Sequence, residues 1–383
     1  MNIGGTEKAL IGMLRYIDYI KYDVTLLLSS LEGELIYELP KEVKVIKYTE
    51  ENINFKNCLK SKSISKTFNY IYNAIKIKIT KNEYKKYKYS NRLLPKIKEE
   101  YDLAISYYMP RSRQVVYVID NINAKYKYSW MHCDPLRMGD ELKQFEDIYC
   151  KYDKVFGVSN QVTENTIKLF PKLKGKVETF YNILDKGRYN ILAQQNKGFI
   201  DEFDGKRILT VGRLSPEKQQ DMIIPIMKSL LEEGYNIRWY CIGDGVLRNK
   251  LEEEIRENNL EDRIILLGSK KNPYPYFNEC DIYVQLSRHE GYCLTLAEAR
   301  CFNKSIVTTN FSGANEQIIN GITGLVVENN EGKVLQGIKK VLDDYNLSNT
   351  FRKNLSKDEY STINEMKKLY CDLVESKINS SRG

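Results

Sequence analysis

Residues 281–299 read DIYVQLSRHEGYCLTLAEA, and this stretch decides the fold. The apolar run Asp281–Leu286 has the length and composition of a buried strand, Gly291 permits a tight turn, and Leu294–Ala299 begins a helix. A strand, a turn and a helix in this order are typical of a parallel sheet with crossover helices. Free N–H groups from about Cys293–Leu296 would then lie at the carboxyl edge of that sheet.

The same alternation of apolar runs and helically spaced segments extends in both directions. Downstream, strands are predicted at RILTV (207–211), IRWYCIG (237–243), RIILLG (263–268), SIVTT (305–309) and GLVV (324–327), with a charged helix over 246–258. Upstream, strands are predicted at 24–28, 43–46, 103–107 and 155–158. A polar break at 196–206 separates the two series, so we expect α/β architecture with doubly wound units at 1–197 and 198–350. Residues 351–383 are expected to form a helical segment that returns to the first unit.

A second loop whose residues could bind a ligand is GRLSPEK, Gly212–Lys218. Ser215 suits a helix N-cap and Pro216 suits the first helical position, which predicts a helix from Pro216 to Glu233. Arg213 and Lys218 could converge on an anion such as pyrophosphate at that helix start. An ordinary capped helix with two solvated cations explains the loop equally well.

Two carboxylates flank the turn at Gly291. Glu290 precedes it, and Glu298 lies inside the following helix. Beside a phosphate site such acids suit sugar or ribose hydroxyls, because one carboxylate can accept two hydrogen bonds. The alternative is that Glu290 caps the helix and Glu298 is solvated.

The charge of the chain is concentrated in one segment. The 383 residues carry a formal net charge of +8, yet 13 lysines and arginines and a single acid, Glu83, lie within 56–98. That window is therefore +12 and the rest of the chain −4. Its interleaved Tyr, Ile and Lys residues favour an amphipathic basic helix that contacts an anionic membrane surface. A solvated basic helix is the alternative, and no nucleic-acid-binding motif accompanies the segment.

Cysteine and histidine usage argues against a metalloprotein or a disulfide scaffold. The 8 cysteines include no CxxC pair, there are 2 histidines, His132 and His289, and no D-x-D pair occurs. Reduced thiols, no metal and no cofactor are therefore expected. No apolar stretch is long enough to span a membrane, and MNIGGTEKAL lacks the order of a signal peptide, so we expect a cytoplasmic location.

Taken together, the motifs resemble glycosyltransferase family 4. The resemblance is carried by the E-x7-E pair Glu290 and Glu298, by G-R-L-x-x-x-K at 212–218, by Gly243-Asp244-Gly245 and by GSKKNPYPY at 268–276. It extends to GGTEK at 4–8, WMHCD at 130–134 and FYNILD at 180–185. The resemblance implies the GT-B fold, in which two Rossmann-like doubly wound domains face each other across a cleft. It also implies that residues 1–197 bind the acceptor, that residues 198–350 bind the nucleotide-sugar donor, and that transfer is retaining.

The resemblance also implies roles for individual residues. Arg213 and Lys218 would stabilise the leaving diphosphate, Glu290 would hold the transferred sugar, and His132 would face that sugar from the acceptor side. Donor-binding positions are Gly4, Gly5, Gly212, Gly243, Gly268, Gly291, Cys293, Leu294, Thr295 and Glu298, and no metal site is implied. For His132 alone, a histidine satisfied by hydrogen bonds in the core is the alternative.

The expected function is addition of a sugar to a lipid-linked glycan acceptor in capsule, exopolysaccharide or teichoic acid synthesis. The protein would be cytoplasmic and peripheral on the inner face of the membrane through residues 56–98, without a nucleic-acid partner. The alternatives are a soluble transferase or phosphorylase-like enzyme acting on a small acceptor, and a non-catalytic nucleotide- or polyanion-binding protein.

The chain departs from the family at two places. Gly4 follows only Met1, Asn2 and Ile3, so the strand that commonly precedes the glycine loop is expected to be missing, through an internal start or a shortened chain. Cys293 stands where many members carry the second glycine of E-G-x-G. A small side chain should still fit there, and we expect it to narrow the choice of donor.

Overall fold

The computed structural model describes residues 4–47, 64–357 and 361–370. The chain divides into two compact units, Met1–Asn182 with Asn364–Gly383, and Ile183–Ile363. The boundary thus precedes the helix Lys186–Ala193, rather than falling at 197/198 as the polar break suggests. Residues 351–363, expected to return to the first unit, belong to the second, because Phe351 on the helix Tyr345–Lys357 is fully buried in the second unit's core.

Strands and helices alternate along the described chain. The strands are β1 (Thr25–Leu28), β2 (Lys44–Lys47), β3 (Ile97–Ser106), β4 (Ile122–Met131), β5 (Lys154–Gly157), β6 (Val177–Thr179), β7 (Lys206–Val211), β8 (Ile237–Ile242), β9 (Ile264–Gly268), β10 (Ile282–Gln285), β11 (Ser305–Thr309) and β12 (Leu325–Val327). The α-helices span Gly5–Leu14, Ile64–Ile79, Glu83–Asn91, Arg113–Asn121, Glu146–Tyr149, Asn160–Leu169, Lys186–Ala193, Ile223–Glu232, Arg248–Glu257, Tyr274–Glu279, Leu294–Cys301, Ala314–Gln317, Glu331–Asp343 and Tyr345–Lys357.

The second unit is a doubly wound parallel sheet. Its strand order is β12-β11-β10-β7-β8-β9, and every pairing is parallel. The chain therefore runs from β7 to β9 in one direction and then returns to the other side of β7 with β10. The order of the strands reverses between β7 and β10, and ligands of open α/β sheets bind at the carboxyl ends of the strands at such a point.

The buried residues of this sheet form two cores, one on each face. Ile208, Trp239 and Val284 belong to one core, while their chain neighbours Leu209 and Tyr240 belong to the other. This assignment follows from the period of two in a strand, which sends successive side chains to opposite faces. Strands that are buried on both faces read as continuous apolar runs, and this is why their positions were predictable.

The first unit contains two separate parallel sheets among its described residues. β1 pairs with β2, and β3 to β6 pair in chain order. A buried aromatic cluster packs on the second of these sheets, with Trp130, Phe156 and Phe180 ring centroids 4.7–5.3 Å apart. The prediction of a missing first strand concerns residues 1–3, which lie outside the described residues.

The prediction of a helix that begins at Pro216 is wrong. Residues 214–218 form a bend and turns, a 3-10 turn follows at Gln220–Met222, and the α-helix begins only at Ile223. Gln219 has a left-handed backbone, with φ of 53°, which prevents one continuous helix. Ser215 is consequently not the N-cap of that helix, and the anion site cannot be a helix terminus at this position.

Two predicted absences can be compared with the described residues. No helix within 4–47, 64–357 or 361–370 is long and apolar enough to cross a membrane. None of the described cysteines, Cys133, Cys150, Cys241, Cys280, Cys293 and Cys301, forms a disulfide, while Cys58 and Cys371 lie outside the described residues.

Candidate functional site

Two loops meet at the point where the strand order of the second unit reverses. The loop after β7 carries Lys218, and the loop after β10 carries Glu290. The backbone N–H of Arg288 donates to the carbonyl of Glu217 over 2.8 Å, which joins the two loops directly. Lys218 Nζ donates to Glu290 Oε1 and forms an ion pair with it. The structure thus brings together two predicted site residues that are far apart in the sequence.

The Lys218–Glu290 pair is largely withdrawn from solvent. The side chains keep 18 % and 13 % of their accessible surface. Desolvation lowers the pKa of Lys218, but the attraction of Glu290 and neighbouring groups outweighs it, so the pKa lies above its usual 10.5. Lys218 is therefore a fixed positive charge at physiological pH.

A chain of polar side chains supports Glu290 from inside the sheet. Ser287 Oγ donates to Glu290 Oε1 over 2.7 Å, and Gln285 Nε2 donates to Ser287 Oγ over 2.7 Å. Thr295 Oγ1 donates to Gln285 Oε1 over 3.1 Å, and Tyr283 OH donates to the same oxygen. Gln285 and Ser287 have no exposed surface, so this chain fixes the Glu290 carboxylate from a rigid strand.

Glycines let the backbone close on itself beside these loops. Gly243 has φ of 141°, and a Cβ there would overlap the carbonyl oxygen of Gly212. The N–H of Gly212 donates to Ile242 O over 2.9 Å, and that of Gly243 donates to Gly268 O over 3.0 Å. Gly212, Gly243 and Gly268 thus lie together at the carboxyl ends of β7, β8 and β9. Their role in donor binding stays a prediction.

The helix Leu294–Cys301 begins just after Gly291. Its N-cap residue is Cys293, which has a left-handed backbone with φ of 64° and is buried. Burial raises the pKa of the Cys293 thiol to about 12, so it is a neutral group. Because this position needs a positive φ, a glycine would adopt it without strain, which gives a physical reason for the glycine that many family members carry here.

Glu298 lies within the same helix and is 2 % exposed, which rules out the interpretation of a solvated acid. Tyr274 OH donates to Glu298 Oε1 over 3.1 Å, and the Tyr274 ring stacks on Tyr189 at a centroid distance of 4.5 Å. A buried carboxylate beside aromatic rings can accept hydrogen bonds from the hydroxyls of a ribose.

Arg213 differs from Lys218 in its surroundings. Its side chain is exposed, while its carbonyl accepts a hydrogen bond of 2.9 Å from Gln220 Nε2. The loop is therefore anchored through its backbone, and the guanidinium lies at the surface near the carboxyl edge of the sheet. Its predicted role at the diphosphate stays a prediction.

The remaining predicted site residues belong to the first unit. His132 follows β4, and its ring meets the edge of Tyr107 at a centroid distance of 4.5 Å. Its Nε2 is inaccessible and has no hydrogen-bond partner among the described residues. Burial lowers its pKa to about 3, so the ring is neutral at physiological pH. Gly4 and Gly5 begin the helix Gly5–Leu14.

Sequence reasoning missed the supporting side chains. Gln285 is a polar residue within an apolar strand, and Ser287 stands three positions before Glu290 in an S-x-x-E pattern, so both signals were present in the sequence. Tyr274 lies within the GSKKNPYPY stretch, but its bond to Glu298 depends on the tertiary fold, and so does the stacking of Tyr189 on Tyr274. Within the described ranges no group of three or more His, Cys, Asp and Glu side chains could hold a metal ion.

The fold of the whole chain is that of known GT-B enzymes. The structure of Anabaena Alr3699/HepE in complex with UDP superposes with a TM-score of 0.67 at 15 % identity, covering 97 % of this chain and 96 % of the other. WaaG, a glycosyltransferase involved in lipopolysaccharide biosynthesis, superposes with a TM-score of 0.60 at 14 % identity over 96 % of both chains. The predicted GT-B fold is confirmed.

Residues 194–358 match the family model of the glycosyl transferases group 1. A Campylobacter jejuni relative is 31 % identical over 222 residues, or 57 % of this chain and 59 % of its own; it is named as the N-acetylgalactosamine-N,N'-diacetylbacillosaminyl-diphospho-undecaprenol 4-alpha-N-acetylgalactosaminyltransferase. The Staphylococcus aureus capsular polysaccharide biosynthesis glycosyltransferase CapM is 27 % identical over 149 residues, which is 38 % of both chains. The chain spans less than two thirds of the length of these curated relatives. The match to the model of the glycosyl transferases group 1 thus lies within the second unit.

Proposed function

We propose that this protein is a retaining glycosyltransferase that transfers a sugar from a nucleotide-sugar donor to a lipid-linked surface glycan. The observation that supports the proposal most is the Lys218–Glu290 pair, held between two loops at the point where the strand order reverses. A cation and a carboxylate fixed side by side suit a ligand that joins a diphosphate to a sugar.

Cationic and acidic residues would bind different parts of the donor. Lys218 and Arg213 would attract the diphosphate, and the N-terminal amides of the helix Leu294–Cys301 would add donors. Glu290 would accept hydrogen bonds from sugar hydroxyls, and buried Glu298 would accept them from the ribose. Fixed donors need no reorganisation as negative charge develops on the leaving group, and this lowers the barrier.

In the proposed reaction the bond between the anomeric carbon and the diphosphate oxygen breaks, and the diphosphate keeps the electron pair. An acceptor hydroxyl oxygen bonds to the anomeric carbon on the same face, and its proton passes to a diphosphate oxygen. Configuration is thereby retained. No step in this scheme needs a metal, so we expect full activity in excess EDTA; a loss that added Mg²⁺ restores would contradict that part of the proposal.

The acceptor and donor classes are proposed by comparison. The Campylobacter relative is named for an acceptor on diphospho-undecaprenol, and the HepE structure contains UDP. A UDP-sugar and a prenyl diphosphate-linked glycan are therefore the first candidates to test. The alternatives remain a soluble transferase or phosphorylase-like enzyme on a small acceptor, and a non-catalytic nucleotide- or polyanion-binding protein.

A panel of UDP-, GDP- and other nucleotide sugars distinguishes these alternatives. Slow donor hydrolysis without acceptor, together with protection from thermal unfolding by the matching nucleotide diphosphate, is expected for one donor. The anomeric configuration of the product, read by NMR, then tests retention. Binding of nucleotide without hydrolysis of any donor would favour the non-catalytic alternative, and transfer only to small sugars would remove the lipid-linked acceptor.

We also propose that the helix Ile64–Ile79 brings the protein to the inner face of the cytoplasmic membrane. Its exposed apolar side chains, Ile64, Phe68, Ile71, Tyr72, Ile75 and Ile79, recur at helical spacing. Lys76 and Lys78 lie in its last turn, and the lysine-rich helix Glu83–Asn91 follows. An apolar stripe beside cations fits the surface of an anionic bilayer. Residues 56–63 of the basic segment lie outside the described residues.

Vesicle flotation tests this contact. Binding to phosphatidylglycerol-containing but not to neutral vesicles is expected. This binding should weaken as the salt concentration rises, because salt screens the attraction between the lysines and the anionic head groups. The variant Phe68→Ser/Ile75→Ser should lose binding, whereas Ile200→Ser, which removes an 88 % exposed isoleucine of the second unit, should keep it. Equal binding of all three proteins would exclude the helix as the contact.

A further inference from the structure

Gln219, the residue after Lys218, has a backbone conformation that is unfavourable for glutamine. Its φ of 53° and ψ of 40° lie in the left-handed region. Glycine adopts this region without strain, and asparagine tolerates it because its short side chain bonds locally, whereas glutamine has neither advantage. A strained residue inside a loop of the candidate site points to a task for its side chain.

The Gln219 side chain reaches two other loops. The residue is 6 % exposed, so the amide lies among protein groups rather than in solvent. It bonds the amide of Asn329, which follows β12, over 2.7 Å or 2.9 Å in either orientation of the Gln219 amide. In the orientation that satisfies both ends of that amide, Nε2 also donates to Leu286 O over 3.2 Å and Oε1 accepts from Arg288 Nη2 over 3.1 Å.

Together with a backbone bond, these contacts fix both neighbours of Lys218. On the other side of Lys218, the carbonyl of Glu217 accepts from the N–H of Arg288 over 2.8 Å. The residues before and after Lys218 are thus both fastened to the segment 286–288, and Glu290 follows that segment two positions later. The ammonium group of Lys218 is therefore held in place relative to the Glu290 carboxylate.

The next residue, Gln220, serves the loop itself. Its Nε2 donates to Arg213 O over 2.9 Å, so this bond closes the loop after β7 on its own backbone. The contacts of Gln219 are of a different kind, because they join that loop to the loops after β10 and β12. The closure of one loop therefore does not account for the strained Gln219.

We propose that Gln219 is a positioning residue, whose side chain ties the loops after β7, β10 and β12 together and holds Lys218 beside Glu290 for the leaving diphosphate. The proposal rests on the proposed function, in which Lys218 stabilises that group. Gln219 contacts no part of the donor in this scheme and acts through Lys218. The bonds of its amide offset the strain of its backbone.

The variants Gln219→Gly and Gln219→Ala separate the side chain from the backbone. Both remove the amide, but Gln219→Gly relieves the strain and should unfold at a higher temperature than Gln219→Ala. If the backbone alone mattered, Gln219→Gly would behave as the wild type. Asn329→Ala removes the partner amide from its own loop. Asn259→Gly is the matched control, because Asn259 has φ of 55° and is exposed beyond the helix Arg248–Glu257.

The reactivity of Lys218 reports its position without any donor. The full chain is labelled with acetic anhydride, and the rate at each lysine is read by mass spectrometry of peptides. Lys218 is protected in the wild type, since its side chain is 18 % exposed. Lys304 is the reference, because its Nζ bonds the carbonyls of Asn278 and Cys280 elsewhere in the second unit.

We expect Lys218 to label several-fold faster in Gln219→Gly and in Asn329→Ala, with the rate at Lys304 unchanged. Asn259→Gly should label as the wild type does. A wild-type rate at Lys218 in Gln219→Gly would overturn the proposal. A parallel rise at Lys304 would also overturn it, because the substitution would then loosen the unit as a whole.

Transfer kinetics connect the position of Lys218 to the reaction. Gln219→Gly should lower kcat by roughly tenfold and change KM less, because a displaced cation is missed mainly in the transition state. Adding Asn329→Ala to Gln219→Gly should cost little more, since both substitutions remove the same contact. A wild-type kcat in Gln219→Gly would overturn the proposal. If the wild type hydrolyses and transfers no donor, the proposed function fails, while the labelling of Lys218 still decides whether Gln219 holds it.

Discussion

Each unit places an ion pair near the carboxyl edge of a parallel sheet, but the two pairs are held differently. In the second unit the side chains of Lys218 and Glu290 are 18 % and 13 % exposed. In the first unit Arg111 is 31 % exposed, and its partners Glu83 and Glu141 are 27 % and 62 % exposed. The pair in the second unit is positioned by two loops joined through their backbones. The pairs in the first unit depend on longer, more exposed side chains.

The difference in exposure between the ion pairs predicts which of them holds a charge in a fixed position. A pair withdrawn from water interacts strongly, and removal of one partner leaves the other uncompensated. An exposed pair is screened by solvent and contributes little to stability. We therefore expect sensitivity to substitution to decrease from the second unit's pair to the first unit's pair.

The largest effect is expected for Lys218→Ala. Loss of a fixed cation at the leaving group should slow transfer by roughly a hundred- to a thousandfold, or ~2.7–4 kcal/mol in the barrier. Steady-state transfer rates measure this, with Lys228→Ala as the control, because Lys228 is a surface lysine that bonds only Asn258 among the described residues. Turnover of Lys218→Ala near that of the wild type would refute the assigned role.

The double variant Lys218→Met/Glu290→Gln tests whether the ion pair contributes to the stability of the fold as well as to transfer. The pKa of Lys218 lies above 10.5, so the pair stabilises the fold below that pH and the contribution disappears as pH rises through the folded value. Thermal unfolding from pH 8 to 11 should therefore fall more steeply for the wild type than for the double variant. Parallel curves would show that the pair contributes no stability.

Gly243→Ala should be the next most damaging. Its φ of 141° is strained for alanine, and the added Cβ would overlap the carbonyl of Gly212, for a loss of about 2–3 kcal/mol in the free energy of unfolding. Gly234→Ala is the matched control, since its φ is 87° but nothing lies within 4 Å of the added atom. Its loss should be near 1 kcal/mol, and equal losses in urea unfolding would show that overlap is unimportant.

Ser287→Ala tests whether Glu290 needs its support. Loss of a hydrogen bond to a charged group should cost about 1.5 kcal/mol, or roughly tenfold in transfer rate. Ser229→Ala removes a hydroxyl that bonds Pro225 O within a helix away from these loops, and it should transfer normally. If both variants transfer alike, the polar chain from Gln285 does not position Glu290.

The smallest effect is expected for the stability of Arg111→Ala. Its half-exposed pairs should contribute about 0.2–1 kcal/mol to the free energy of unfolding. Arg15→Ala breaks a comparable pair with Glu38, exposed by 24 % and 38 %, and should behave alike. A loss above 2 kcal/mol for Arg111→Ala alone, measured in urea, would remove the distinction between the two units.

The sequence predicted the strands of the second unit well, missed β4 and β6 of the first unit, and predicted the loops poorly. Strands such as Ser305–Thr309 are buried on both faces, so an apolar run marks them locally. The helix predicted from Pro216 failed because Ser215 and Pro216 match a capping pattern, while the actual backbone bonds neighbouring loops through Leu214 and Glu217. Local helix propensity does not include hydrogen bonds to distant segments of the chain, so it cannot predict their effect.

The sequence by itself determined the residue types of the candidate site and the class of fold, because apolar periodicity and the order of the motifs are local properties. Only the tertiary structure decided that β10 lies beside β7, so that Lys218 and Glu290 meet where the strand order reverses. It also decided that Gln285 supports Glu290 and that Gln219 bonds Asn329. These are long-range contacts, and their geometry depends on how strands pair rather than on any short stretch of residues.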